Sequence, residues 1–207
     1  MLVLIKGAGD LATGTAVRLY RAGIKVVMTE VARPTAVRRT VAFSQCMYDG
    51  AAQVEGISAR RAEDAGAARR ALERGEVPVL CDPEAAILRE LPFDGVVDAI
   101  LAKRNLGTAI TDAPIVLALG PGFTAGVDCH GVVETMRGHD LGRLLTRGSA
   151  APNTGVPGDV GGYTTQRIIR APADGLFEPL AAIGDRVEEG APVARVAGAV
   201  VCARLTG

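Results

Sequence analysis

The first thirty residues change from a strand-like to a helical spacing of hydrophobic positions and back again. Residues 2–6 are an apolar run, Gly7-Ala8-Gly9 interrupts it, and residues 11–21 show a helical period. Residues 25–29 form a second apolar run that finishes at Glu30. The apolar positions of the helical segment are Ala12, Ala16, Leu19 and Tyr20. This pattern predicts a βαβ unit.

Helix and strand patterns keep alternating up to residue 100. Residues 63–74 predict a helix and residues 77–80 a strand. Asp82 and Pro83 are typical of an N-cap and a first helical position, so a helix is expected to about residue 91, followed by a strand over 95–100. Such alternation is typical of a mostly parallel sheet with helices on both faces. The predicted fold class is therefore α/β and Rossmann-like.

The pattern becomes irregular after residue 113. Residues 115–119 predict a strand that runs into a glycine-rich turn, and residues 131–135 predict another strand. Short apolar runs separated by turns fill the end of the chain, which indicates a small β-rich module. The predicted organisation is a Rossmann-like nucleotide-binding domain over 1–147 that includes the glycine-rich segment 113–139, a Gly/Pro-rich loop over 148–165, and a β-rich module over 166–207.

Composition narrows the classes of partner. Lys plus Arg and Asp plus Glu balance at 23 each, so nucleic acid is not an expected partner. The apolar N-terminal run is short and lacks a basic leader, which predicts a cytoplasmic protein with no membrane association. The four cysteines form no CxxC pair, and we predict no metal site. Hydrolase chemistry is disfavoured, since no nucleophile elbow, Walker loop or HExxH occurs.

The segment from Gly7 to Ala12 matches the dinucleotide-binding pattern GxGxxA. Gly7 would make the tight turn, Gly9 would let the backbone approach a pyrophosphate, and Ala12 would let the helix pack on its strand. Glu30 occupies the place of the carboxylate that binds a ribose diol, although Arg33 weakens the preference for NAD over NADP. The predicted cofactor-binding residues here are Gly7, Gly9, Asp10, Leu11, Ala12 and Glu30, with Asp10 also open to interpretation as a local turn or cap residue.

A second cluster of candidate residues follows the strands near residues 100 and 119. Gly120 and Gly122 lie in a turn that could form an anion-binding backbone nest. The two histidines of the chain, His130 and His139, follow this turn, and Lys103 comes after the strand near residue 100. We consider these three as candidate acid–base residues, with structural hydrogen bonding as the alternative.

Several long phrases carry a resemblance to a known family: GAGDLATG, RRTVAFSQCMYDG, DAILAKRN, LGPGFTAGVDCHGVVETMRGHDLGR and APNTGVPG. Together they resemble the selenium-dependent molybdenum-hydroxylase accessory family, often called the YqeB group. The resemblance implies an accessory protein in the maturation of molybdenum hydroxylases, with a dinucleotide bound by the Rossmann-like domain. That dinucleotide is either NAD(P) or a molybdopterin dinucleotide. The implied partner is a molybdenum hydroxylase or its maturation machinery.

The β-rich tail resembles half of a lipoyl- or biotinyl-type module. It lacks a lysine to modify, because no lysine follows Lys103, so a structural role is expected. Members of the family continue into a second β half, which leaves the completeness of this module open. Two alternatives remain. One is a nucleotide-sensing module. The other is an NAD(P)-dependent oxidoreductase that acts on a small substrate, with His130, His139 or Lys103 as proton donor. The sequence also leaves open whether the protein forms a homo-oligomer.

Overall fold

A computed structural model describes residues 1–207, which divide into two compact units, residues 1–153 and 154–207. The first unit holds a nine-stranded, mostly parallel sheet and the second a three-stranded antiparallel sheet, so the α/β class is confirmed. The strands of the first unit are β1 (Leu2–Lys6), β2 (Lys25–Glu30), β3 (Ala51–Val54), β4 (Ile57–Ala62), β5 (Val77–Cys81), β6 (Gly95–Asp98), β7 (Ile115–Leu119), β8 (Gly131–Val133) and β9 (Leu144–Leu145). Its α-helices are α1 (Asp10–Arg21), α2 (Cys46–Asp49) and α3 (Ala65–Glu73).

The strands of the large sheet lie in the order β3-β4-β5-β2-β1-β6-β7-β8-β9. From β4 to β8 every neighbouring pair is parallel, and only the two edge strands, β3 and β9, run antiparallel to their neighbours. The chain runs from β1 to β2, crosses to the outer β3–β4 hairpin, returns to β5 beside β2, and then passes to the other side of β1 to add β6, β7 and β8. The direction of building therefore reverses between β1 and β6, which is where open α/β sheets bind ligands.

The sheet is buried on both faces at β1, whose residues are apolar on both sides. Val3 and Ile5 pack with Ala12 and Ala16 of α1, and Leu4 packs on the opposite face with residues of α3. Small alanine side chains let both helices approach the sheet closely. Burial of each large aliphatic side chain of β1, such as Leu4 or Ile5, contributes about 1.5–3 kcal/mol to the stability of the fold.

The predicted helix over residues 83–91 is wrong. The structure has only a 3₁₀ turn at Ala86–Arg89, preceded by Ala85 with a left-handed φ of 52°. The Asp82 carboxylate accepts hydrogen bonds from the N–H groups of Ala86 and Ile87, both at 2.9 Å. The predicted N-cap position is wrong, because the N-cap residue is Ala85, and its left-handed backbone prevents an α-helix from starting at Pro83.

Two further elements differ from the sequence prediction. The β3–β4 hairpin was missed, and its turn is made by Glu55 and Gly56, which have positive φ values of 50° and 80°. The strand predicted over 95–100 ends at Asp98, so residues 99 and 100 belong to the loop that follows β6. This shortening places these two residues at the carboxyl edge of the sheet.

The second unit contains β10 (Phe177–Pro179), β11 (Pro192–Val196) and β12 (Ala199–Cys202), in the order β10-β11-β12. Its buried apolar side chains are few, namely Ala194, Val196 and Ala203. The β-rich character predicted for this part of the chain is thus present as one small sheet. None of the α-helices in either unit has the length and apolar character needed to cross a membrane.

Candidate functional site

A cavity of about 350 Å³ opens at the carboxyl ends of β1, β2 and β6. Three pieces of chain line it: the glycine loop with the start of α1 (Gly7 and residues 9–12), Glu30 with the segment that follows β2, and residues 99–101 after β6. The cavity therefore lies at the reversal point of the sheet. We call it the crevice.

Gly7 and Gly9 differ in why they are glycine. Gly7 has a φ of 94°, and a Cβ there would lie 2.9 Å from the carbonyl oxygen of Ala99 and 3.0 Å from the Cα of Ile100. Gly9 has a φ of −64° and no atom within 4 Å of a Cβ built on it. The fold itself therefore requires glycine at residue 7, whereas at residue 9 only a ligand against the backbone would.

The start of α1 presents backbone donors to the crevice. Gly9 is the N-cap and has no side-chain capping bond, and the first helical bond runs from the Thr13 N–H to the Gly9 carbonyl at 2.8 Å. The N–H groups of residues 9–12 donate to no acceptor within the protein. Such N–H groups, together with the positive end of the helix dipole, bind phosphate groups readily.

The backbone of Ala8 is held on both sides, which fixes the shape of the glycine loop. Its N–H donates to Oε2 of Glu30 at 2.9 Å. Its carbonyl accepts from the Ser44 N–H at 2.8 Å and from the Thr13 hydroxyl at 3.2 Å, and that hydroxyl in turn accepts from the Phe43 N–H. The segment around Phe43 thus supports the loop from behind.

The Glu30 carboxylate lies at the end of β2 and lines the crevice. Besides the bond from Ala8, its Oε1 accepts from the Val31 N–H at 2.8 Å. Each carboxylate oxygen has a further lone pair, so the group can still accept from hydroxyls of a ligand. Glu30 therefore shapes the loop and also faces the cavity.

Asp10 is the first residue of α1 and forms an ion pair with Arg38. This contact offsets a negative charge that would otherwise repel an anion at the helix start. The geometry favours a local structural role for the Asp10 side chain.

The structure does not bring Gly120 and Gly122 into the crevice. A Cβ on Gly120 would lie 2.8 Å from Oγ1 of Thr135, and one on Gly122 would lie 2.5 Å from the backbone nitrogen of Arg104. Both residues have positive φ. Close packing against other segments of the same chain explains why both residues are glycine.

The three candidate acid–base residues lie in different places. His130 precedes β8, and its Nδ1 accepts from the Val116 N–H at 3.0 Å near the start of β7, so it lies at the amino edge of the sheet, opposite the glycine loop. His139 is an exposed residue of the loop between β8 and β9. Lys103 follows β6 on the carboxyl edge, close in sequence to Leu101 of the crevice.

A buried polar network that sequence reasoning missed lies beside the crevice. Lys6 ends β1, Asp98 ends β6, and the two are register partners. Nζ of Lys6 donates to the Thr108 hydroxyl at 2.6 Å, and that hydroxyl donates to Oδ2 of Asp98, also at 2.6 Å. The three residues are only 3%, 1% and 3% exposed for Lys6, Asp98 and Thr108. The only signal in the sequence was a charged residue at the end of each of two apolar strands.

A second buried carboxylate, Glu134, holds the loop after β8. Its side chain accepts from the N–H of Ala151 at 2.7 Å, of Met136 at 2.7 Å and of Thr135 at 2.8 Å. These hydrogen bonds hold the pKa of the Glu134 carboxyl below its usual value, and the bond from Ala151 has the largest effect. Burial acts in the opposite direction. Glu134 thus acts as a structural anchor.

Two of the four thiols, those of Cys46 and Cys129, are buried. Burial raises the pKa of Cys46 to about 11 and also raises the pKa of Cys129, which keeps both in the unreactive thiol form. No three His, Cys, Asp or Glu side chains lie close enough together to hold a metal ion.

Comparison with known proteins gives one informative relative. Over 206 residues the chain is 53% identical to a protein of Escherichia coli (strain K12) described as uncharacterized protein YqeB. The similarity covers 100% of this chain and 38% of that protein, so the chain spans well under half the length of the curated relative it matches. The chain is therefore similar to that relative along its whole length, and to only part of the relative. No family model and no solved structure matches.

Proposed function

We propose that the crevice binds the pyrophosphate of a dinucleotide, and that the protein serves as an accessory factor in the maturation of molybdenum hydroxylases. The observation that carries the binding proposal is the set of unpaired N–H groups of residues 9–12, which face a cavity at the reversal point of the sheet. The two candidate dinucleotides are NAD(P) and a molybdopterin dinucleotide.

The residues present fit such a ligand. The strands β5-β2-β1-β6-β7-β8 follow the order typical of a Rossmann sheet, and α1 follows β1 directly. Gly9 leaves open space above the loop, Ala12 is fully buried against the sheet, and Glu30 has lone pairs left for a ribose diol. Pyrophosphate would be held by the backbone at residues 9–12, and one ribose by Glu30.

The placement of His130 favours the accessory role over the oxidoreductase alternative. His130 uses Nδ1 to accept from a backbone N–H at the opposite edge of the sheet, so it cannot donate a proton to a ligand in the crevice. The molybdenum context rests on the resemblance of the motifs, including APNTGVPG and GAGDLATG. A protein that holds a dinucleotide and passes it to a partner needs no catalytic turnover of its own. The same is true of a protein that passes on an enzyme already loaded with the dinucleotide.

The binding proposal is tested by comparing two valine variants on the same helix. Gly9→Val places a branched side chain where the pyrophosphate would lie, and Gly14→Val is the matched control, because Gly14 lies outside the crevice and also has no atom within 4 Å of its Cβ. NAD, NADP and a molybdopterin dinucleotide are titrated by calorimetry into each protein. Loss of the bonds to charged phosphate oxygens predicts an affinity at least about tenfold weaker in Gly9→Val.

The outcomes separate the parts of the proposal. Equal affinity in Gly9→Val and the unchanged protein would remove the glycine loop from the binding site. Tighter binding of the molybdopterin dinucleotide than of NAD(P), together with no oxidation or reduction of NAD(P)(H) in the presence of small substrates, is the result expected for an accessory factor. Tight binding of NAD(P) alone, with turnover, would favour an oxidoreductase instead.

A further inference from the structure

The segment after β6 carries features that the crevice alone does not explain. Ala99, Ile100 and Leu101 line the crevice, and Thr108 ends the same stretch of chain. We call residues 99–108 the strap. Leu101 and Lys103 both have left-handed backbones, with φ values of 60° and 62°. Such conformations are costly for residues other than glycine, persist only where the surrounding structure holds them, and are common at functional sites.

The strap is held at both ends by the same carboxylate. Oδ1 of Asp98 accepts from the Ile100 N–H at 3.2 Å, and Oδ2 accepts from the Thr108 hydroxyl at 2.6 Å. Asn105 closes the far end, since its Oδ1 accepts from the N–H groups of Gly107 and Thr108 and its Nδ2 donates to the Thr108 carbonyl. The Asp98 side chain therefore contacts the strap near both of its ends, and the strap forms this wall of the crevice.

The charge of Lys6 completes this arrangement. Asp98 is almost fully buried, and a buried carboxylate without a compensating charge is unfavourable. The Lys6 ammonium supplies the positive charge through the Thr108 hydroxyl, and the Lys6 carbonyl accepts from the Ala99 N–H at 2.9 Å. Lys6 also directly precedes Gly7, so β1 contributes both the glycine loop and the anchor of the opposite wall.

We infer that Lys6, Thr108 and Asp98 form a positioning network that holds the strap as the wall for the half of the dinucleotide that lies beyond the pyrophosphate on the β6 side. This inference rests on the proposed function. The half of the ligand on the β2 side meets Glu30 and the start of α1, which the network does not touch. Loss of the network is therefore expected to weaken a dinucleotide selectively and to spare a nucleoside monophosphate bound on the β2 side.

The test compares Thr108→Val, which keeps the shape and removes the hydroxyl, with Thr108→Ser, which restores it. NAD and AMP are titrated into both variants and the unchanged protein. In the same way, a molybdopterin dinucleotide is compared with the nucleoside monophosphate that it contains. Thr108→Val is expected to bind the dinucleotide about tenfold more weakly, because the strap loses both hydrogen bonds of the Thr108 hydroxyl to charged groups, with monophosphate affinity unchanged. Thr108→Ser is expected to behave like the unchanged protein.

Hydrogen exchange of the ligand-free proteins gives a readout that does not depend on the ligand. Thr108→Val is expected to speed exchange across residues 99–108 while leaving β1 and β2 protected. Should Thr108→Val fail to fold, Asn105→Ala loosens the strap from its half-buried end, with Lys6 and Asp98 still bridged, and is expected to give the same pattern.

The possible failures differ. Unchanged exchange in the strap, or an equal loss of dinucleotide and monophosphate affinity, overturns the positioning network and leaves the proposed function standing. Absence of binding of every dinucleotide and monophosphate by the unchanged protein overturns the proposed function and this inference together.

Discussion

Replacement of Gly7 by alanine should destabilise the protein, whereas the same change at Gly9 should not. At Gly7 the φ of 94° is a backbone conformation that alanine rarely adopts, and the new Cβ would lie 2.9 Å from the Ala99 carbonyl oxygen. Because that neighbour is backbone directly after β6, and its N–H is bonded to the Lys6 carbonyl of β1, it cannot move without disturbing the sheet. At Gly9 the backbone suits any residue and the space is open.

The magnitude follows from these two observations. A left-handed backbone costs about 1–2 kcal/mol for a residue with a Cβ. Forcing a methyl group into a close contact costs about 1–3 kcal/mol, and the reduced freedom of the unfolded chain returns about 0.4–1 kcal/mol. The net loss for Gly7→Ala is therefore about 3 kcal/mol. Gly9→Ala keeps only the last of these effects and should be unchanged or slightly more stable.

Urea unfolding followed by far-UV circular dichroism measures the difference, since the chain has no tryptophan for fluorescence. A loss of about 3 kcal/mol corresponds to a melting temperature lower by about 6–12 °C for a protein of this size. Gly9→Ala is the internal control, because it is the same substitution two residues away. Equal stability of the two variants would refute the argument that Gly7 is required by its approach to Ala99.

Three further changes test other parts of the site. Lys6→Met leaves the Asp98 carboxylate buried without its compensating charge and should lower the free energy of unfolding, measured in urea, by about 3–5 kcal/mol. Adding Asp98→Leu should recover much of that loss. If it recovers none, the charge argument is contradicted. Glu134 has a lowered pKa, so its contribution to stability is complete at neutral pH, begins to fall below the usual glutamate pKa of about 4.3, and is lost once the pH passes the lower folded-state pKa. Glu134→Gln should therefore narrow the difference in melting temperature between neutral and acidic pH, and an unchanged difference would argue against the anchor. His130→Ala should lower the melting temperature and leave dinucleotide affinity unchanged, while His130→Asn keeps an acceptor for the Val116 N–H and should be milder; weakened dinucleotide binding would restore His130 as a site residue.

The local elements around the crevice could be predicted from the amino-acid pattern. The strand, glycine loop and helix over residues 2–21 follow from periodicity and from the glycines, because neighbouring residues alone decide those conformations. The alternation of strands and helices was enough to predict an α/β protein with a mostly parallel sheet, which the structure confirms. The acid at the end of β2 was likewise visible, since Glu30 is close in sequence to the loop that it supports.

Tertiary structure alone decided which residues meet across the sheet. Lys6 and Asp98 are far apart in the sequence and become partners only through the register of β1 and β6, which no local pattern records. The direction of the parallel strands separates His130 from the glycine loop, although the sequence made both candidates for the site. The helix expected over 83–91 failed because Ala85 adopts a left-handed backbone between the end of β5 and β6. Local propensities determine what each segment can become, whereas register, strand direction and close packing determine which charges share a buried site.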